Sequence, residues 1–217
     1  MSPEAEGRIG PNAVTRLAEA LDELHGPPAT DAVFGMARLL RYRHAPPSAM
    51  VDEAVVTSLH AALRRTLAPQ DAATVARRAG ALTGDYLLAH RIPAPVRALL
   101  RALPAPWAAR LLVRAMASHA WTFAGSGAFS AVAASGRAGS DASAISPPDA
   151  GPGRPRLLLA IRNCPLCRGA GAAAPVCDYF ASTFERLFAT LVSHSARVHE
   201  TTCQATGASA CRFEVRW

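Results

Sequence analysis

The sequence predicts an α+β chain, helical through its first half and mixed strand and helix from about residue 119 onward. Three observations predict it. Apolar residues recur at helical spacing up to residue 118, in segments closed by proline and glycine. From residue 119 the texture changes to apolar-polar alternation with glycine pairs, the period of strands. An apolar fraction of 50% over 217 residues is enough to bury a substantial core.

The elements follow in order. The first eleven residues carry no periodicity. Asn12 is placed to cap a helix through about His25, with Val14, Leu17, Leu21 and Leu24 on one face. Gly26-Pro27-Pro28 reads as a break, and Asp31 as the cap of a second helix reaching about Tyr42. A third helix is expected from Asp52 to Leu67. Pro69 opens a fourth, with Asp71 in its first turn, running to about His90. The segments "IPAP" and "LPAP" punctuate two more, over 95–102 and 106–118. These make up a helical N-terminal region, residues 1–118.

The second region, 119–217, packs with the first as one unit in this reading. "HAWTFAGSGAFSAVA" (119–133) reads as strand, turn, strand. Residues 134–155 are Gly, Ser, Ala and Pro with few large apolar side chains, the composition of a flexible loop. "RLLLAI" (156–161) is a short buried strand. Residues 176–192 form an amphipathic helix with Val176, Phe180, Phe184, Leu187, Phe188 and Leu191 on one face. Two strands close the chain, about 196–202 and 210–216, with Cys211, Phe213 and Val215 on one side and Arg212, Glu214 and Arg216 on the other.

Charge and cysteine usage narrow the function. The net charge is +7, but the arginines are spread along helices with no block of like charge and no aromatic interleaving, which argues against nucleic acid as a partner. "MSPEAEGRIG" lacks the basic start and apolar run of a secretory signal. Five cysteines, an odd number, then point to a reduced cytosolic setting, where clustered thiols bind metal or do redox work. The most apolar stretch, 96–121, is broken by four arginines and two prolines. It reads as two amphipathic helices whose apolar faces suit the core or a membrane surface rather than a span.

Cys177, Glu200, Cys203 and Cys211 are the sharpest constellation. Cys177 sits at the start of the aromatic helix, and the other three flank a tight hairpin. Three thiolates and a carboxylate make a tetrahedral zinc set of the closed, structural kind, with Arg197 or Arg212 to offset its negative charge. On a regular strand Glu200 and Cys203 point to opposite faces, so convergence requires a bulge or turn near Thr202. The same residues also read as reduced cysteines packing as small apolar side chains.

Other motifs carry less. Cys164-Pro-Leu-Cys167 is a redox pair or half of a metal site, with the proline favouring a loop over a helix start. "GAGAAA" (169–174) imitates a dinucleotide fingerprint at the wrong distance from its strand. No histidine pair has metal spacing. His119 precedes Trp121, Phe123 and Phe129, aromatics that either line a flat apolar pocket beside an imidazole able to ligate a magnesium porphyrin, or form plain core.

"NCPLCRGAGAAAPVCDYFASTFERLF" followed by "ETTCQATGASACRFEV" resembles the vinyl-4-reductase domain, a ligand-binding module. Within it, the chain is similar to the bacteriochlorophyll 4-vinyl reductase (J subunit) family of photosynthetic bacteria. The domain resembles the sensor domain of phenol- and xylene-responsive regulators, and the three-cysteine, one-glutamate zinc set of those falls on Cys177, Glu200, Cys203 and Cys211. The resemblance implies an antiparallel sheet covered by helices around an apolar pocket, here with His119, Trp121, Phe123, Phe129, Phe180 and Phe184 as ligand-binding residues. It implies a structural zinc and a magnesium tetrapyrrole ligand of the divinyl chlorophyllide or protochlorophyllide type. The named activity is vinyl reduction, with a reductant the sequence leaves unidentified. The alternatives are a carrier delivering tetrapyrroles to other bacteriochlorophyll-synthesis enzymes, or a zinc-containing sensor module. A cytoplasmic protein, peripheral to the photosynthetic membrane and able to form a homodimer, fits that picture.

Overall fold

The structure is a computed structural model that describes residues 7–134 and 156–217. The N-terminal half is helical: α1 (Asn12–His25), α2 (Pro27–Met36), α3 (Leu40–His44), α4 (Glu53–Thr66), α5 (Pro69–Tyr86), α6 (Ala94–Ala102) and α7 (Ala105–Ser118). A π-helical turn, Leu87–Arg91, extends α5. A two-stranded pairing of β1 (Arg8–Ile9) with β2 (Val51–Asp52) ties the start of the chain to the start of α4, where sequence reading left residues 8 and 9 unstructured. After α7 come a helical turn α8 (Trp121–Ala124), β3 (Ala128–Ala133), β4 (Leu157–Arg162), α9 (Asp178–Leu191), β5 (Arg197–Thr202) and β6 (Cys211–Arg216). β3 to β6 form an antiparallel sheet in the order β3-β4-β6-β5. The expected flexible loop, 134–155, lies outside the described residues save for Ala134.

Local chemistry explains most boundaries. Asp52 caps α4 by accepting from the Ala54 N–H at 2.8 Å. Pro69 stands at the first turn of α5 and Pro27 at that of α2, positions that need no N–H partner. That corrects the second helix: it starts at Pro27, not at Asp31, and Gly26 at φ 80° sets its entry. Pro11, not Asn12, occupies the cap position of α1, and Leu24 is exposed at its far end. The first strand expected within 119–133 is instead α8, because Thr122 and Ala124 donate backward to His119 and Ala120 carbonyls.

α9 lies between the sheet and the helical half. Phe180 and Phe184 pack against Phe213 of β6, with ring centroids 6.4 and 5.4 Å apart. The opposite face meets α5, where Gly80 and Gly84 let the backbones approach closely. There Thr183 donates to the Gly80 carbonyl at 3.0 Å, and the Tyr179 and Thr83 hydroxyls lie 2.8 Å apart. One hydrophobic core runs from Leu17 and Leu21 through Val75 and Phe188 to Leu159 and Val215. Each large side chain fully buried there contributes about 1.5–3 kcal/mol.

Candidate metal centre

Three elements deliver the four donors expected from sequence. Cys177 occupies the cap position of α9. Glu200 stands in β5, Cys203 just past its end, and Cys211 opens β6. The register of β5 against β6 slips between Glu200 and Thr202. That irregularity is the bulge which lets Glu200 and Cys203 reach the same side.

The four ligand atoms all lie within 4.8 Å of one another. Sγ of Cys177 is 3.9 Å from that of Cys203 and 3.7 Å from that of Cys211, and Cys203 and Cys211 are 3.8 Å apart. Zn–S bonds of ~2.3 Å at tetrahedral angles place sulfurs about 3.8 Å apart, so the spacing suits one shared ion. All three cysteines are buried and free of disulfides.

Glu200 supplies an independent test of fit. Its Oε2 accepts from the Cys177 backbone N–H at 2.7 Å, while its buried Oε1 has no hydrogen-bond partner. Burial, then the nearby Cys203 charge, pushes its carboxyl up to about 10. A carboxylate oxygen orphaned among thiols is costly unless a cation meets it. The donors therefore fit a soft-to-borderline divalent metal ion.

Around them stand residues that sequence reading did not single out. Arg64 of α4 is drawn below its ordinary pKa by burial and pulled back by the charges of Cys177, Cys167, Cys203 and Cys164, so its guanidinium is the counter-charge at the cluster. Arg197 and Arg212, the expected counter-charges, are exposed instead. His60, one helical turn before Arg64, is fully buried. Gln204 accepts from the Cys164 N–H at 2.7 Å and fastens the Cys-Pro-Leu-Cys segment to the hairpin. A buried arginine four residues after a buried histidine was the available signal, but periodicity alone does not say what a helix face packs against.

The aromatic residues gather elsewhere. Phe180 and Phe184 stack at 5.8 Å and 7°, and Phe123 meets Phe129, Phe180 and Phe184 edge-on at 5.4, 6.1 and 6.1 Å. His119 is exposed and Trp121 is 36% exposed, both at the edge of this group. His119 Nδ1 lies 2.9 Å from the Ala115 carbonyl oxygen and 3.0 Å from the Ser118 hydroxyl, which leaves Nε2 as the nitrogen for an outside ligand. The exposed large apolar side chains include Val96, Leu99, Trp107 and Leu111 of α6 and α7. Among the described residues no helix is long and apolar enough to cross a membrane.

An α9-backed antiparallel sheet closed by a thiol-rich hairpin is the architecture of a vinyl-4-reductase (V-4-R) domain, and residues 157–217 match that family. The likeness extends far beyond it. The chain is 42% identical over 213 residues to the bacteriochlorophyll synthase 23 kDa chain of Cereibacter sphaeroides, covering 98% of this chain and 92% of that one. To the protein so named in Rhodobacter capsulatus it is 36% identical over 209 residues, covering 96% and 86% respectively. The chain belongs to this family of bacteriochlorophyll synthase 23 kDa chains, with the vinyl-4-reductase domain at its C-terminal end.

Proposed function

We propose that this protein acts in bacteriochlorophyll biosynthesis, binds a magnesium tetrapyrrole of the divinyl chlorophyllide or protochlorophyllide type, and hands it to other enzymes of that pathway. The observation that carries the reading is the identity with proteins named as bacteriochlorophyll synthase chains, which runs through the helical half as well as the C-terminal domain. The aromatic group supports it: Phe123, Phe129, Phe180 and Phe184 offer a flat apolar wall, with Trp121 at its edge and His119 as axial ligand to magnesium. Exposed Trp107, with the Arg110 guanidinium 5.3 Å from its ring, favours a peripheral contact with the photosynthetic membrane.

In the same reading Cys177, Glu200, Cys203 and Cys211 hold a zinc ion that cross-links α9 to the β5–β6 hairpin and fixes the wall behind Phe180. The test is to mix purified protein with divinyl chlorophyllide alone, then with NADPH. A stoichiometric, red-shifted complex without turnover is expected, weakened about tenfold or more in His119→Ala. Loss of the vinyl group would make the protein a reductase instead, and no complex at micromolar concentrations would sink the reading.

A further inference from the structure

All five cysteines of the chain, not three, meet at this centre. Cys164 Sγ is 3.6 Å from that of Cys177, and Cys167 Sγ is 3.4 Å from that of Cys211. The sulfurs of Cys164, Cys167, Cys177 and Cys211 all lie within 4.8 Å of one another, and all four residues are buried. They form a second complete donor set that shares two members, Cys177 and Cys211, with the first.

The Cys-Pro-Leu-Cys segment is shaped for ligation. It is a turn, not the start of a helix, so it lacks the helix dipole that activates redox pairs of that spacing. Gly169, at φ 69°, takes the left-handed conformation that closes the turn. The turn is held from both sides: Thr57 of α4 donates to the Pro165 carbonyl at 2.7 Å, and Gln204 holds the Cys164 N–H. Fixing two sulfurs this way on a short Cys-x-x-Cys loop is how structural zinc sites present half their ligands. A pocket of about 190 Å³ lined by Asn163, Arg168 and Gln204 opens onto Cys164 and Cys167, and supplies an entry path from solvent.

We propose that Cys164, Cys167, Cys177 and Cys211 form a second thiolate site for a soft divalent cation, so that the loaded chain carries two ions bridged by the sulfurs of Cys177 and Cys211. The inference rests on the reading of the first set as a metal site, through those two shared sulfurs. Four sulfur donors select zinc or cadmium over hard cations, which prefer oxygen. Both sets use the same 3.7 Å Cys177–Cys211 edge, so two tetrahedra are joined along it. Five thiolates and one carboxylate against two divalent ions leave a formal charge of about −2. The buried Nη2 of Arg64, with no hydrogen-bond partner, adds a positive charge beside that cluster.

The experiment loads the metal-free full chain, kept reduced and oxygen-free, with excess cadmium-113 and removes unbound ion. Bound cadmium per chain is then counted and its resonances recorded. Two ions and two cadmium resonances are expected. The double variant Cys164→Ser, Cys167→Ser is expected to hold one ion and show one resonance. Wild-type protein saturating at one ion with one resonance overturns the second site by itself, whether or not the variant folds. A double variant that keeps both ions overturns it too. One ion that survives in the double variant and is lost in Cys203→Ser overturns this inference and leaves the first site standing, whereas no bound metal in the wild type removes both.

Discussion

His60 shows how a single side chain sets a condition on the whole chain. It is 1% exposed, packs edge-on to Tyr179 at 5.6 Å, and its Nε2 has no hydrogen-bond partner. Burial, then the Arg64 charge, lowers its pKa from 6.5 to about 3. The folded state therefore keeps the ring neutral while the unfolded chain takes up a proton below 6.5. The unfolded state binds more protons in that window, so stability is full above it and falls as pH drops toward 3. We expect a loss approaching about 1.4 kcal/mol per pH unit, flattened in His60→Leu, measured by urea denaturation across that range. Equal slopes in both proteins would remove His60 as the cause. At this scale the donors Cys177, Glu200, Cys203 and Cys211 were legible because metal ligands need particular atoms at workable spacing. Arg64 and His60 were not, since a helix of Arg, His and Leu reads the same whether its face meets solvent or a thiol cluster.

Between elements, the tightest contact is that of α5 with α9. A Cβ on Gly80 would stand 2.2 Å from the Tyr179 carbonyl oxygen, which is backbone and cannot swing aside. Alanine would gain about 1 kcal/mol of helix propensity there. The forced separation of two helices costs about 1–3 kcal/mol or more, so the clash decides the sign. Gly80→Ala is expected to lower Tm by several degrees, while Gly35→Ala, where nothing lies within 4 Å of the new Cβ, leaves it unchanged or higher. A Gly80→Ala protein as stable as wild type would mean that the helices do not approach as described. Most helices were legible from capping residues and periodicity. The start of α2 was misread because Gly-Pro-Pro serves equally as a stop and as a helix entry. Alternation made 119–123 look like strand, and only the backward hydrogen bonds to His119 and Ala120 fix it as a helical turn.

Across the whole molecule, Glu53 joins distant parts of the chain. Its carboxylate accepts from the Ser126 N–H at 2.8 Å and the Ser126 hydroxyl at 2.7 Å, and pairs with Arg168 beside the Cys-Pro-Leu-Cys turn. Burial raises its pKa, but Arg168 and the two Ser126 donors outweigh that and hold it below the ordinary carboxylate value. Its contribution is therefore present above that ordinary value and lost as pH falls through the folded one. Glu53→Gln is expected to cost about 1.5–3 kcal/mol at neutral pH and to leave a shallower acid limb below pH 4.5, read from denaturant midpoints. No loss at neutral pH would show that the helical half and the C-terminal domain do not depend on this link.

The order of helices and strands, the hairpin bulge and the chemical identity of the first donor set follow from the sequence itself, because capping, periodicity and ligand atoms are local properties. What only the tertiary structure decided is company: that α9 is shared by the sheet and α5, that Arg64 lies against the thiols, and that Cys164 and Cys167 stand beside Cys177 and Cys211. Those meetings join residues far apart in the chain, and they arise from the burial of a common core, which no local pattern encodes.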